Sequence, residues 1–181
     1  MGKHMNYHYK KILVPYDSSK PSDTALSEAI KIAETSRISS QHNDNTQIIL
    51  LHVIQEIPIP ASLFFTTSHP DFVSHKTGDK VSLKEHLKEI YQEMKSDATK
   101  ILNDKIGKCY NNMKQERRFD IKAKVLIGYA SDKIIEFANE EQVDLIIMGT
   151  TGLKGISKIK ALGSVAREVS EMAKCPIMLV H

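Results

Sequence analysis

Five short runs of aliphatic and β-branched residues alternate with stretches whose apolar residues recur every three or four positions. The first run, KILVP at 11–15, reads as a buried strand. Ala25, Leu26, Ala29, Ile30 and Ala33 follow at helical spacing. A turn over 17–21 separates the two, with Ser19 as the expected N-cap and Pro21 early in the helix. QIILLHV at 47–53 is the second strand; its aliphatic residues do not alternate with polar ones, as expected of a strand covered on both faces. Residues 123–127 and 143–148 predict the third and fourth strands, and PIMLVH at 176–181 the fifth.

Helices are predicted between these runs. Ser82 is the expected cap of a long one, whose stripe of Leu83, Leu87, Ile90, Tyr91, Met94, Ala98, Ile101, Leu102 and Ile106 predicts a core-facing side. Ser131 should open a short helix carrying Ile134, Ile135 and Phe137. A final helix should follow Gly163-Ser164, with Val165, Val169 and Met172 inward. Residues 56–81, broken by Pro58, Pro60, Pro70 and Gly78, read as a long insert holding Leu63-Phe64-Phe65. Residues 1–9 read as an N-terminal extension and 10–181 as a single domain. Strands alternating with helices imply right-handed crossovers and an α/β fold, a doubly wound five-stranded parallel sheet.

The chemistry concentrates where the fourth strand meets a glycine loop, IIMGTTG, which closes on Gly163-Ser164. Glycines there let backbone approach a ligand, and the unpaired N–H groups of the following helix start favour an anion. Asp17 lies just past the first strand as Gly149 lies past the fourth, and ligands of such sheets bind beyond the strands' carboxyl ends. Lys154, Lys158 and Lys160 read mainly as a solvated loop face. The spacing is neither the dinucleotide GxGxxG nor the Walker motif with its lysine. No nucleophile, base and orienting group stand together, which argues against an enzyme faster than a slow ATP hydrolase.

Composition excludes more than it assigns. A net charge of +3 with 26% charged residues and no long basic block gives no reason to expect nucleic acid. No run approaches the length of a membrane span, and the start of the chain carries no signal-peptide pattern. Cys109 and Cys175, far apart and without ligand spacing, read as reduced thiols of a cytoplasmic protein. His69 and His75 lack a third metal ligand at a fitting spacing, and His52 reads as a packed or hydrogen-bonded histidine.

Taken together, KILVPYDSS, LLHV, VLIG, IIMGTTG, GSVAREV and PIMLVH resemble the universal stress protein family along nearly the whole chain. The resemblance implies a flavodoxin-like sandwich. For the nucleotide-binding branch it also implies a site for ATP, or AMP or ADP, with Mg²⁺ carried by the phosphates. By that resemblance Asp17 contacts the adenosine, Pro15 and Tyr16 line its pocket, and the backbone of Val53 meets the adenine edge. Met148 and Gly149 lie beneath ribose and phosphates; Gly152, Gly163, Ser164 and Val165 supply N–H donors; Gly128 allows close approach. The family spaces its second and third motif glycines by nine residues, whereas ten separate Gly152 from Gly163 here. The implied role is stress sensing or signalling through a protein partner, as a homodimer paired through the last strand. A nucleotide-free dimeric scaffold of the same fold is the alternative.

Overall fold

The computed structural model describes residues 9–36, 45–60, 72–111, 119–151 and 162–181. Its centre is a parallel sheet of β1 (Lys11–Pro15), β2 (Thr46–Ile54), β5 (Phe119–Ile127), β6 (Leu145–Gly149) and β7 (Ile177–Val180). The spatial order is β5-β2-β1-β6-β7, with Lys11 level with Gln47 and Ile12 level with Leu145. The expected α/β architecture, a doubly wound five-stranded parallel sheet, is therefore the observed one.

Side chains alternate across this sheet into two cores. Ile12, Val14, Ile48, Leu50, Leu145 and Ile147 pack on one face, against α1 (Lys20–Ser36) and the end of α2 (Leu83–Asn111). Leu13, Ile49, Leu51, Ile146 and Met148 pack on the other, against α3 (Ala130–Glu140) and α4 (Ser164–Met172). Burial on both sides is why the central strands are uninterrupted aliphatic runs.

The helix starts are written locally. Ser19 caps α1, its Oγ accepting from the Ser22 N–H at 3.3 Å. Ser82 and Glu85 form a reciprocal capping box at α2: the Glu85 N–H donates to the Ser82 hydroxyl, and the Ser82 N–H donates to the Glu85 carboxylate at 3.0 Å.

Several expectations need correction. The third parallel strand begins at Phe119 rather than 123, and the fourth spans Leu145–Gly149 rather than 143–148. Tyr129, not Ser131, precedes α3, and its side chain makes no capping bond; Ser131 is buried in the first turn. Met172 projects outward, 62% exposed. On α2 only Leu102 and Ile106, in its C-terminal half, are buried; Leu87, Ile90 and Tyr91 are half-buried, and Met94 and Ile101 are exposed. Within the insert, β3 (Phe72–Val73) and β4 (Lys80–Val81) pair as a small antiparallel hairpin that the sequence pattern did not suggest. Leu63, Phe64 and Phe65 lie outside the described residues.

Candidate functional site

The chain runs from β1 outward through β2 to β5, then returns to build β6 and β7 on the other side of β1. The crevice beyond the carboxyl ends of β1 and β6 is thus the topological switch point, where open α/β sheets take ligands. The backbone there is specialised on both sides.

On the β1 side, Pro15 ends the strand and the Tyr16 N–H donates to the Leu51 carbonyl at 2.8 Å. The chain then turns sharply: Ser18 adopts φ 66°, and the Asp17 carboxylate accepts from the Ser19 N–H at 3.0 Å. Asp17 therefore performs the turn role open to any aspartate after a strand, and that turn sets it, half-buried, at the crevice.

On the β6 side, Gly149 is indispensable for packing. A Cβ there would lie 2.5 Å from the Cβ of Pro21, so only glycine lets the end of β6 meet the start of α1. Thr150 follows, buried, with its N–H on the Val180 carbonyl and its hydroxyl 2.8 Å from His181 Nδ1. Its carbonyl accepts the Gly163 N–H at 2.8 Å. That one bond brings the N-terminus of α4 back beside the end of β6. A Cβ at Gly163 would meet the same carbonyl at 3.2 Å. Gly163 is the N-cap and offers no side-chain cap, so the first N–H groups of α4 point outward without an intrahelical partner. Ser164 is exposed at that end; Val165 is half-buried against the α3/α4 core.

The remaining candidates sit on the β2/β5 side. Val53 stands level with Leu126, and the Gly128 N–H closes on the Ile54 carbonyl at 3.0 Å. Gly128 has φ +144°, a conformation that excludes side chains for steric reasons. His52 joins the two halves, its Nδ1 2.8 Å from the Tyr16 carbonyl oxygen.

Tyr16 divides from its neighbours. Val53, Met148 and Val165 all belong to the α3/α4 side of the sheet, but the Tyr16 ring packs into the α1/α2 core. Its hydroxyl donates to Asp23 at 2.6 Å, and the same carboxylate holds Lys105 of α2 at 2.6 Å. Burial, reinforced by the Asp23 charge, pushes the Tyr16 phenol far above its ordinary value. Burial also opposes the charge on Asp23, but the hydrogen bonds from Lys105 and Tyr16 outweigh it and hold that carboxyl below its usual range. Tyr16 thus reaches the crevice through its backbone, while its side chain ties β1 to both helices.

Gly152, Lys154, Lys158, Lys160 and His69 lie outside the described residues. His75 is stacked on His86 at 5.1 Å, and no group of three metal-ligating side chains occurs among the described residues. Sequence reasoning missed the site roles of Thr150 and Pro21, which act through contacts between distant segments that no local pattern carries.

The family model for the universal stress protein family matches residues 8–181. Two relatives from Methanocaldococcus jannaschii are similar along their lengths. Universal stress protein MJ0531 is 31% identical, over 95% of this chain and 82% of its own. Universal stress protein MJ0577 is 30% identical, over 97% of each. Among solved structures, the universal stress protein UspA from Lactobacillus plantarum shares the fold with a TM-score of 0.68 at 20% identity, covering 97% of this chain and 99% of its own. A universal stress protein in complex with cAMP shares it with a TM-score of 0.54 at 20% identity, covering 97% and 98%.

Proposed function

This chain belongs to the universal stress protein family, and we propose that it binds an adenine nucleotide, ATP foremost with ADP and AMP as alternatives, in the crevice between β1 and β6. The observation that carries this reading is the Gly163 to Thr150 hydrogen bond, which sets the open N-terminus of α4 beside a strand end where Gly149 and Asp17 already converge. N–H groups without an intrahelical partner and the helix dipole there suit a phosphate, with the exposed Ser164 hydroxyl as a further donor. The relative of the same fold that holds cAMP supports adenine as the base.

Binding on this reading is the signal and not the prelude to fast chemistry. The described residues hold no ready metal cluster, so Mg²⁺ would arrive with the phosphates and be held mostly by them and by water. The nucleotide orders the backbone around α4, and a cytoplasmic stress-response partner reads the changed surface. The protein works as a homodimer: β7 is an edge strand of the sheet, Met178 on it is exposed, and pairing with a second β7 would satisfy its free edge. Light scattering that gives a monomer mass at micromolar concentration removes this element.

The decisive experiment is chromatography of nucleotide released on denaturation, followed by calorimetric titration of stripped protein with ATP, ADP and AMP. Micromolar binding that weakens about tenfold in Ser164→Ala and in Asp17→Ala is the expected result, the scale of one lost charge-assisted hydrogen bond. Neither release nor binding at millimolar nucleotide would favour the scaffold reading, to which the ten residues between Gly152 and Gly163 already lend weight.

A further inference from the structure

Helix α2 carries a second apolar stripe that the described residues cover only in part. Leu102 and Ile106 turn into the core. Leu87, Tyr91, Met94, Ala98 and Ile101 recur at alternating spacings of four and three, the seam of a helix that packs against another helix. Met94 is 39% and Ile101 58% exposed, so no described residue covers that end of the stripe. At the other end lies a trough of about 510 Å³, lined by Leu87, Tyr91 and the edge-strand residue Ile127. The Tyr91 hydroxyl accepts the Ile57 N–H at 2.7 Å, which leaves its ring as the apolar floor.

The rim is charged with one sign. Lys84, Lys88 and Lys95 border the trough. None of the three forms an ion pair with a described residue; Lys88 only approaches Glu85, one turn away on the same helix. They follow the helix for about 16 Å, at 1.5 Å per residue. Charges spread along that length call for a ligand with several negative groups in a row, not one at its end.

We propose that this face of α2 is the docking site for an amphipathic helix of a partner protein, its apolar stripe flanked by acidic residues. The mode is helix-in-groove recognition, with apolar anchors in the trough and carboxylates opposite the lysines. A second copy of this chain fits less well, since antiparallel pairing of the two faces would set Lys88 and Lys95 against their own kind. A lipid surface fits less well too: the trough is recessed beside Ile127 of β5, whereas a bilayer presents a plane. The site adjoins the Gly128 edge of the nucleotide crevice but shares none of its candidate residues and is tested without nucleotide, so either can fail alone.

The test is fluorescence anisotropy with two labelled three-heptad peptides, both with leucine at the seam, one flanked by glutamates and the other by lysines. The full-length protein should bind the acidic peptide saturably and not the basic one, and binding should weaken several-fold as salt rises. Met94→Glu should weaken it at least tenfold. The double variant Lys88→Glu/Lys95→Glu should reverse the preference toward the basic peptide. All three positions are exposed, and unchanged thermal melts would show that the fold is kept. Failure of the acidic peptide to bind, equal binding of both peptides, or undiminished binding to the charge-reversed variant overturns the proposal. So does displacement of the peptide by phosphatidylglycerol vesicles that sediment the protein.

Discussion

Gly149 and Pro21 are in contact so close that a single methyl group between them has nowhere to go, its carbon falling 2.5 Å from the proline Cβ and 3.0 Å from the proline carbonyl carbon. One residue ends β6 and the other sits in the first turn of α1. Their apposition joins the two halves of the crevice. Gly149→Ala must therefore push a strand end away from a helix start, both anchored in the cores. The expected cost is about 1–3 kcal/mol, the range for overpacking a tight interior. Denaturant melts in the absence of nucleotide measure it, so the loss reads out packing alone. An unchanged midpoint would mean that the loops separate freely.

Gly128 tests a different physical cause. Its φ of +144° is closed to side chains whatever the free space, whereas the nearest obstacle, the Lys133 side chain at 2.8 Å, is flexible and can move. Gly128→Ala should then cost about 1–3 kcal/mol through backbone strain. Lys133→Ala in the same background should recover little of it. Full recovery would reassign the penalty to the lysine contact.

The fold was legible because its signals are local. KILVP and QIILLHV are doubly covered strands, and they read as such from their unbroken aliphatic runs. Ser19 and Ser82 announced their helices by the same logic. The candidate site was legible as strand-end residues, but not as geometry. Nothing beside Gly149 in sequence reveals Pro21, and nothing beside Gly163 reveals the Thr150 carbonyl. Position along the chain also failed to say which side of the sheet a residue serves. Tyr16, next to Asp17, sends its ring into the α1/α2 core. The stripe of α2 misled for a related reason: periodicity shows that a face is apolar, not that the residues packed beside it bury all of it.

Both cysteines should be sluggish nucleophiles. Burial pushes the Cys109 thiol above its ordinary value despite the nearby Lys105, and burial does the same for Cys175. Since the thiolate is the reacting form, the native protein at pH 7.5 should alkylate with iodoacetamide more slowly than free cysteine. Full denaturation should restore the ordinary rate. Fast labelling of either residue in the native state, mapped by mass spectrometry, would refute the prediction.

The Tyr16, Asp23 and Lys105 cluster should make stability fall at both ends of the pH scale, for opposite reasons. The Asp23 carboxyl is lowered in the folded protein, so its contribution is complete above the unfolded value of about 3.9 and disappears as pH falls through the folded one. The Tyr16 phenol is raised, so its contribution is complete below the unfolded value of about 10 and disappears as pH climbs toward the folded one. Asp23 is partly exposed and its ion pair with Lys105 is screened by solvent, which limits the pair to about 1 kcal/mol or less. Tyr16→Phe should cost about 1 kcal/mol at neutral pH by removing the buried hydroxyl's bond to Asp23, and it should abolish this site's share of the alkaline loss. Asp23→Asn should flatten the acid limb while leaving the tyrosine ring packed. Urea midpoints of the wild type and both variants, measured from pH 3 to pH 11, separate the two limbs. An acid limb that survives Asp23→Asn unchanged would place the responsible carboxylate elsewhere.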